Sequence, residues 1–320
     1  MTTHYILNQS PNDIISKVHF ADRNYLLASS WDKNIYIYNI EENKCVFTKE
    51  TECPLLDCSF YIMGNHNMIV YGGLSGILHY YDVIGKKEMN LGKHESSIRN
   101  IRCHKSKGII ITGSWDKTIN FWNLTSKQYL QKSINLSEKI YAMDASENLI
   151  AASTSDLMIY IFDQRKLDVA IFSKPSPLSS QTRSIAIIPN EEGIVIGSTE
   201  GKVAVEYLVE NKKSYTFKCH RITEDDKTII YPINSFNFHP KFGSLATGGS
   251  DASICLWNLD LKKRISKFQL TTSILSLGFN IEGNKLAVAS SYNTDNGVRE
   301  SDDFHKIIIH NILESDAKLF

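Results

Sequence analysis

The sequence predicts an all-β fold, a closed propeller of seven four-stranded blades. Three observations carry that expectation. A turn motif returns along the whole chain at a nearly constant interval, short strand-like runs without a helical period lie between the turns, and the last repeat lacks a strand that the N-terminus can supply.

The turn is plainest as SSWDK at 29–33 and GSWDK at 113–117, and GGSDA at 248–252 has the same shape. YGGLSG at 71–76 fills the position between the first two, and ASTSD, GSTEG and ASSYN continue the series. Trp31, Leu74, Trp115, Ser155, Thr199, Ser250 and Tyr292 mark seven turns, separated by about 43, 41, 40, 44, 51 and 42 residues. That interval is the one a four-stranded propeller blade requires, and two unrelated tandem domains would not produce it.

Within a repeat the strands are legible. The third reads IRNIRCH, GIIITGSW, TINFWNL and YLQKSIN, short runs rich in Ile, Thr and aromatics divided by Lys/Gly or Asp/Lys turns. These are strands a to d. The second repeat gives LLDCSFY, MIVYGG and ILHYYDV, the sixth gives INSFNFHP, SLATGGS and SICLWNL, and helical periodicity is absent throughout. The last repeat, about 274–312, has ILSLGFN, KLAVASSY and KIIIHNI but no convincing fourth strand. THYILN, about residues 3–8, precedes the first repeat without a blade of its own. Pairing the two closes the ring and removes the edges that an open array would expose. Residues 1–320 then form one propeller domain, with 293–303 a polar surface loop between strands.

Composition narrows the function. A hydrophobic fraction of 42% and a charged fraction of 22% supply an ample core. Lys and Arg total 35 against 35 for Asp and Glu, which argues against a surface built to hold nucleic acid, and no direct nucleic-acid binding is expected. No apolar run approaches a bilayer span and the N-terminus lacks a signal-like stretch, so an intracellular protein without a membrane partner is expected. Cys45, Cys53, Cys58, Cys103, Cys219 and Cys255 form no C-x-x-C pair and read as reduced thiols rather than metal ligands. His305 and His310, five residues apart on a strand, point to opposite faces and make no local metal pair. The acidic groups at 224–226 and at Asp302 and Asp303 read as solvated turns. G-x-S-x-G, phosphate-loop and H-E-x-x-H motifs are missing from the sequence, so no catalytic residue, metal or cofactor is assigned.

The third repeat resembles the WD40 family closely. His94, Thr112, Asp116 and Trp122 match the family's structural tetrad, a hydrogen-bonded chain of loop His, strand Ser/Thr, turn Asp and strand Trp. The sixth repeat keeps Thr247, Asp251 and Trp257 without a His at the same distance, so its network is either incomplete or reaches His220 across a longer loop. Recurrence with the blade marks these polar residues as mutually satisfied structural groups, not a hydrolytic triad.

Within that family, SQTRSIAIIPNEEGIVIGSTEGKVAVEY, YTFKCHR, YPINSFNFHPKFGSLATGGSD and LAVASSY resemble the spindle-checkpoint family of Bub-three. The paralogous messenger-RNA export factors, Rae-one or Gle-two, share the tryptophan turns and the CHR segment, while VAVEY and GGSDASICLWN favour the checkpoint branch. Because successive strands alternate direction, the starts of a and c and the ends of b and d share one face. Trp31, Trp115, Arg183, Lys202 and Lys218 all fall there. The resemblance implies that Trp31, Trp115 and Arg183 hold the short acidic GLEBS motif of Bub-one and Mad-three/Bub-R-one partners, with Arg183 meeting a glutamate. It also implies that Lys202 and Lys218 contact phosphothreonine in Met-Glu-Leu-Thr repeats of the kinetochore scaffold Knl-one. Many members carry Arg at the position of Lys202, so this chain keeps the charge and loses the bidentate fork. The implied location is the nucleus and kinetochore with a cytoplasmic pool. FDQR at 162–165 resembles the W-D-x-R signature of cullin-four ligase receptors with Phe162 replacing Trp, which reads better as a degenerate blade ending.

Overall fold

The computed structural model describes residues 4–63, 66–104, 106–225, 227–292 and 305–318. Thr3 of the expected closing strand, Asp226 of the acidic turn, and the loop 293–303 with Asp302 and Asp303 lie outside the described residues.

β1 (His4–Ile6) precedes the first blade. Blade one is β2 (Ile15–Phe20), β3 (Tyr25–Ser30), β4 (Asn34–Asn39) and β5 (Lys44–Glu50); blade two is β6 (Leu55–Met63), β7 (His66–Gly73), β8 (Ile77–Asp82) and β9 (Lys87–Lys93). Blade three is β10 (Ile98–His104), β11 (Ile109–Ser114), β12 (Thr118–Asn123) and β13 (Leu130–Asn135). Blade four is β14 (Ile140–Ala145), β15 (Leu149–Thr154), β16 (Met158–Asp163) and β17 (Phe172–Pro175). Blade five is β18 (Thr182–Ile187), β19 (Gly193–Ser198), β20 (Lys202–Tyr207) and β21 (Tyr215–Lys218), followed by a separate hairpin of β22 (Arg221–Glu224) and β23 (Lys227–Ile230). Blade six is β24 (Ile233–Phe238), β25 (Leu245–Gly249), β26 (Ser253–Asn258) and β27 (Lys263–Gln269); blade seven holds β28 (Ile274–Phe279), β29 (Lys285–Ser290) and β30 (Lys306–Asn311), and a one-turn helix α1 (Glu314–Ala317) ends the run.

Blade seven is completed by β1, which lies antiparallel to β30 with His4 opposite His310, Tyr5 opposite Ile309 and Ile6 opposite Ile308. The closure expected from the incomplete last repeat is therefore present. Leu7 continues the pairing through its N–H to the Ile307 carbonyl at 2.9 Å and is buried with Ile15, Val18, Tyr38 and Ile309 between blades seven and one.

Each strand's pattern follows its depth. β11 and β15 are buried on both faces and read as near-continuous apolar runs, whereas the outer β5 and β13 alternate between half-buried and exposed residues. The core is a set of layers between adjacent sheets. Leu27, Ile35 and Ile37 of blade one meet Leu55, Phe60 and Tyr71 of blade two, and Ile111 and Phe121 of blade three meet Met143 and Ile150 of blade four.

Two features recur in every blade and position the site. The first residue after strand b donates its N–H to the carbonyl of the residue immediately before strand a: Trp31 to Ile14, Leu74 to Pro54, Trp115 to Ser97, Ser155 to Lys139, Thr199 to Gln181, Ser250 to Pro232 and Ser291 to Ser273. The seventh mark thus falls on Ser291, not on Tyr292 as the spacing suggested. ASSYN carries no turn Asp, so its switch from apolar to polar residues leaves the register loose by one. Secondly, the pairing of strands a and b slips at one residue in each blade, at Arg99 in blade three and Arg183 in blade five. A bulge re-aims its extra side chain, and both arginines line the mouth of the central channel.

The β22–β23 hairpin and α1 were not expected from the sequence. The hairpin accounts for the long interval between Thr199 and Ser250. α1 packs Ala317 onto the layer containing Leu256, Ile308 and Ile312, and the Ser266 hydroxyl donates to the Asp316 carbonyl at 2.8 Å.

Candidate partner-binding face

The turns that carry the candidate residues are braced from within. In blade three, Trp122 Nε1–H donates to Thr112 Oγ1 at 2.8 Å, the Thr112 hydroxyl meets His94 Nε2 at 2.7 Å, and His94 Nδ1 meets Asp116 Oδ2 at 2.8 Å. With Thr112 accepting from tryptophan, the consistent assignment has it donate to Nε2 and leaves the ring proton on Nδ1 for the carboxylate. Asp116 also accepts the Glu95 and Thr118 N–H groups at 3.0 and 2.9 Å, so it ties the turn after β11 to the loop before β10. Burial alone would raise the Asp116 carboxyl, but the hydrogen bonds from His94 and Thr118 prevail and hold it at about 2. Thr112 is fully buried, accepting from Trp122 and donating to His94, which is the setting of a structural hydroxyl.

Blade six builds the same chain with His220, which meets Asp251 Oδ1 and Thr247 Oγ1 at 2.8 Å each, while Trp257 Nε1–H donates to Thr247 at 3.1 Å. Of the two alternatives left by the sequence, the longer reach is the one observed. A Cβ on Gly249 would stand 2.3 Å from the His220 ring, which explains the glycine beside the network. Blade one has a tyrosine in this role: Tyr36 donates its hydroxyl to Asp32 Oδ2 at 2.6 Å, and Asp32 accepts the Asn12 and Asn34 N–H groups at 2.9 Å.

Those networks fix the turns bearing Trp31 and Trp115, each the first residue beyond its b strand. Trp31 is 40% exposed, a large apolar area facing solvent. Trp115 is half-buried, and its indole N–H is enclosed without an acceptor among the described residues. Arg183, the second residue of β18, reaches the channel mouth from its bulge. The two tryptophans and Arg183 lie on blades one, three and five, so a ligand touching all three must lie across that mouth.

Lys202 and Lys218 are brought together directly: they are opposite partners in the β20–β21 ladder. Like charges so placed repel, and Glu200 offsets this through an ion pair with Lys202 Nζ at 2.7 Å. Burial opposes the ionised Glu200 carboxyl, yet Lys202 and the Ser179 N–H together hold it below its ordinary range. Arg221 Nη2 donates to the Glu200 carbonyl at 2.8 Å, bracing the same turn from the hairpin. Lys218 is exposed. The arrangement can hold an anion of more than one charge between two ammonium groups, with Glu200 as the resident competitor.

Sequence reasoning missed two elements of this face. Arg99 occupies in blade three the bulge that Arg183 occupies in blade five. The signal was available, because Arg99 stands two residues after Ser97 just as Arg183 stands two after Gln181, and Ser97 and Gln181 accept equivalent turn N–H groups. Glu200 was the other, hidden inside a turn motif. FDQR does not present a free arginine: Phe162 is buried and Arg165 Nη2 folds back on Asp163 Oδ2 at 2.6 Å. Among the described residues no group of His, Cys, Asp or Glu is arranged to hold a metal ion. All six cysteines are free thiols, and burial pushes those of Cys58, Cys219 and Cys255 up.

Comparison with known proteins adds a second line. Residues 85–123 and 211–258 match the family described as WD domain, G-beta repeat. The chain is 33% identical to the mitotic checkpoint protein bub3 of Dictyostelium discoideum, over 98% of this chain and 96% of the relative. It is 34% identical to the mitotic checkpoint protein bub-3 of Caenorhabditis elegans, over 95% and 92%. The mRNA export factor GLE2 of Chaetomium thermophilum is 29% identical, over 98% and 91%.

Proposed function

The chain belongs to the WD40-repeat family of bub3-type mitotic checkpoint proteins, and from that premise we propose that it is a non-catalytic adaptor of the spindle assembly checkpoint that reads two peptides on one face. The first is a GLEBS motif of a Bub-one or Mad-three/Bub-R-one type partner, laid over Trp31 and Trp115 with a glutamate on Arg183. The guanidinium fork suits a carboxylate bidentately, and the two tryptophans supply area that water alone covers poorly. The second is a phosphorylated Met-Glu-Leu-Thr repeat of a Knl-one type scaffold, its phosphate between Lys202 and Lys218. The cross-strand pairing of those two lysines is the observation that carries this reading. A phosphate of about −1.5 to −2 charge at neutral pH matches two cations, so kinase activity would govern recruitment. The protein would act at the kinetochore and in the nucleus, with a cytoplasmic pool.

The likeness to an export factor over nearly the whole chain supports a second reading, in which the same face holds a nucleoporin GLEBS motif. Calorimetry with GLEBS peptides from a checkpoint kinase and from a nucleoporin separates the two. The checkpoint reading expects the kinase peptide to bind, and Trp31→Ala, Trp115→Ala and Arg183→Glu each to weaken it by about 2 kcal/mol or more without lowering the melting temperature. Binding of the nucleoporin peptide alone would establish the export reading instead.

A further inference from the structure

We propose that the central channel is a binding site for a small phosphate-class oxyanion, held chiefly by Lys17 and Arg99. The inference goes beyond the peptide face, although Arg183 borders both. A cavity of about 60 Å³ at the mouth is lined by Lys17, Asp57, Arg99, Arg102 and Arg183. A second, of about 310 Å³, shares Lys17 and Arg102 with it and adds His19 and Asp144.

The charges in this wall do not balance. Leaving Arg183 aside, three cations, Lys17, Arg99 and Arg102, share two carboxylates among the described lining residues, Asp57 and Asp144, and those carboxylates are already engaged. Asp57 accepts the Cys58 and Ile101 N–H groups at 2.9 and 2.8 Å and pairs with Arg102 at 3.1 Å. Asp144 accepts the Ile187 N–H at 3.0 Å and Arg102 Nε at 2.8 Å. These bonds stitch blade two to three and blade four to five, so neither carboxylate is available to swing toward another cation. Among the described residues the Lys17 ammonium and the Arg99 guanidinium make no side-chain hydrogen bond or ion pair. Both touch water within the channel yet are enclosed by protein, and burial pushes both toward the neutral form; neighbouring arginines add to that push, while Asp57, and Asp144 for Lys17, only partly oppose it. Enclosed cations that outnumber their counter-charges are unfavourable unless an anion accompanies them. The donors converge on a space too small for a folded peptide segment but suited to a tetrahedral oxyanion, whose several oxygens can accept from an ammonium and a guanidinium together.

The test is thermal melting of the full chain with orthophosphate, against sodium chloride at equal ionic strength, with ³¹P NMR of the same samples. Wild type is expected to show a saturable, phosphate-specific rise in melting temperature and a broadened phosphate resonance. Lys17→Met with Arg99→Met is expected to melt higher than wild type without phosphate, because two enclosed and only partly compensated charges are gone, and to lose the phosphate-dependent rise. Should that pair fail to fold, Lys17→Gln and Arg99→Gln alone each weaken phosphate binding about tenfold. Lys202→Gln with Lys218→Gln keeps the full response, which separates the channel from the proposed phosphothreonine site. No saturable rise in wild type, an unchanged rise in the channel variants, or loss of the rise with the Lys202 and Lys218 changes overturns the proposal. Running tripolyphosphate in parallel distinguishes a single ion from an extended chain occupying both cavities, the latter binding more tightly.

Discussion

Replacing Leu7 by alanine tests whether the N-terminal strand closes the propeller. Leu7 is 2% exposed, and its side chain fills the layer shared by Val18, Tyr36, Tyr38 and Ile40 of blade one and Ala287, Ile307 and Ile309 of blade seven. Removing a fully buried leucine from such a layer costs about 2–5 kcal/mol. For a 320-residue chain an unfolding entropy of roughly 2.1 cal/mol/K per residue gives about 0.7 kcal/mol/K, so the expected fall in melting temperature is about 3–7 °C. Ile6 is the internal control. It precedes Leu7 in the same segment, is 44% exposed, and truncating it to alanine should stay within about 0.5 kcal/mol. Tyr5, whose hydroxyl donates to the Ile40 carbonyl at 2.9 Å, shows that the strand clasps blade one as well as blade seven. Deleting residues 1–8 should accordingly leave β30 as an open edge and promote aggregation. Thermal melts followed by circular dichroism give the comparison. Equal melting of Leu7→Ala and Ile6→Ala, or a soluble deletion with unchanged melting, would refute the closure argument.

Two further outcomes follow from the networks beneath the face. His94→Ala leaves the Asp116 carboxylate and the Thr112 hydroxyl without their partner and should cost about 3 kcal/mol in denaturant melts. Because the folded Asp116 carboxyl is held at about 2, below its ordinary 3.8, its contribution of about 2 kcal/mol is present above pH 4 and lost as pH falls toward 2. Asp116→Asn should remove that part of the acid sensitivity, and an identical pH profile in the two proteins would contradict the assignment. At the lysine pair, Glu200→Gln removes the resident competitor for Lys202 and should tighten the phosphorylated peptide about fivefold, with no gain for the unphosphorylated one. Equal tightening of both would show that Glu200 acts on the whole face and not on the phosphate.

The propeller was legible because its signal is periodic. A turn repeated at blade length, apolar runs on inner strands and alternation on outer ones survive in the sequence wherever a sheet is sandwiched between two others, and the incomplete last repeat pointed to β1. What lay outside that periodicity was harder to read. β22 and β23 are four residues each and mostly exposed, with no fully buried face to impress a pattern, so the hairpin appeared only as a long interval. α1 is a single turn, too short to show a helical period. The seventh turn slipped by a residue because ASSYN has no aspartate to pin it. His220 was left open because its distance from Thr247 depends on that hairpin, a tertiary matter. Arg99 was overlooked although superposing the repeats would have found it, since a bulge leaves no local signature beyond its offset from the turn. Lys202 and Lys218 were placed on one face by strand direction, but their direct opposition required the register of the ladder, and the pairing of Glu200 with Lys202 required the folded turn.

The phosphate preference of the lysine pair is the point on which the adaptor account turns. Calorimetry should compare phosphorylated and unphosphorylated Met-Glu-Leu-Thr peptides on the native protein with a GLEBS peptide bound, because the two ligands would lie side by side and the first can complete the site of the second. The expected result is a clear preference for the phosphorylated peptide that falls as salt rises. Lys202→Gln and Lys218→Gln should each reduce that preference, and the double variant should abolish it while leaving GLEBS binding intact. Equal binding of the two peptides to the native complex, or a double variant that keeps the full preference, would contradict the account.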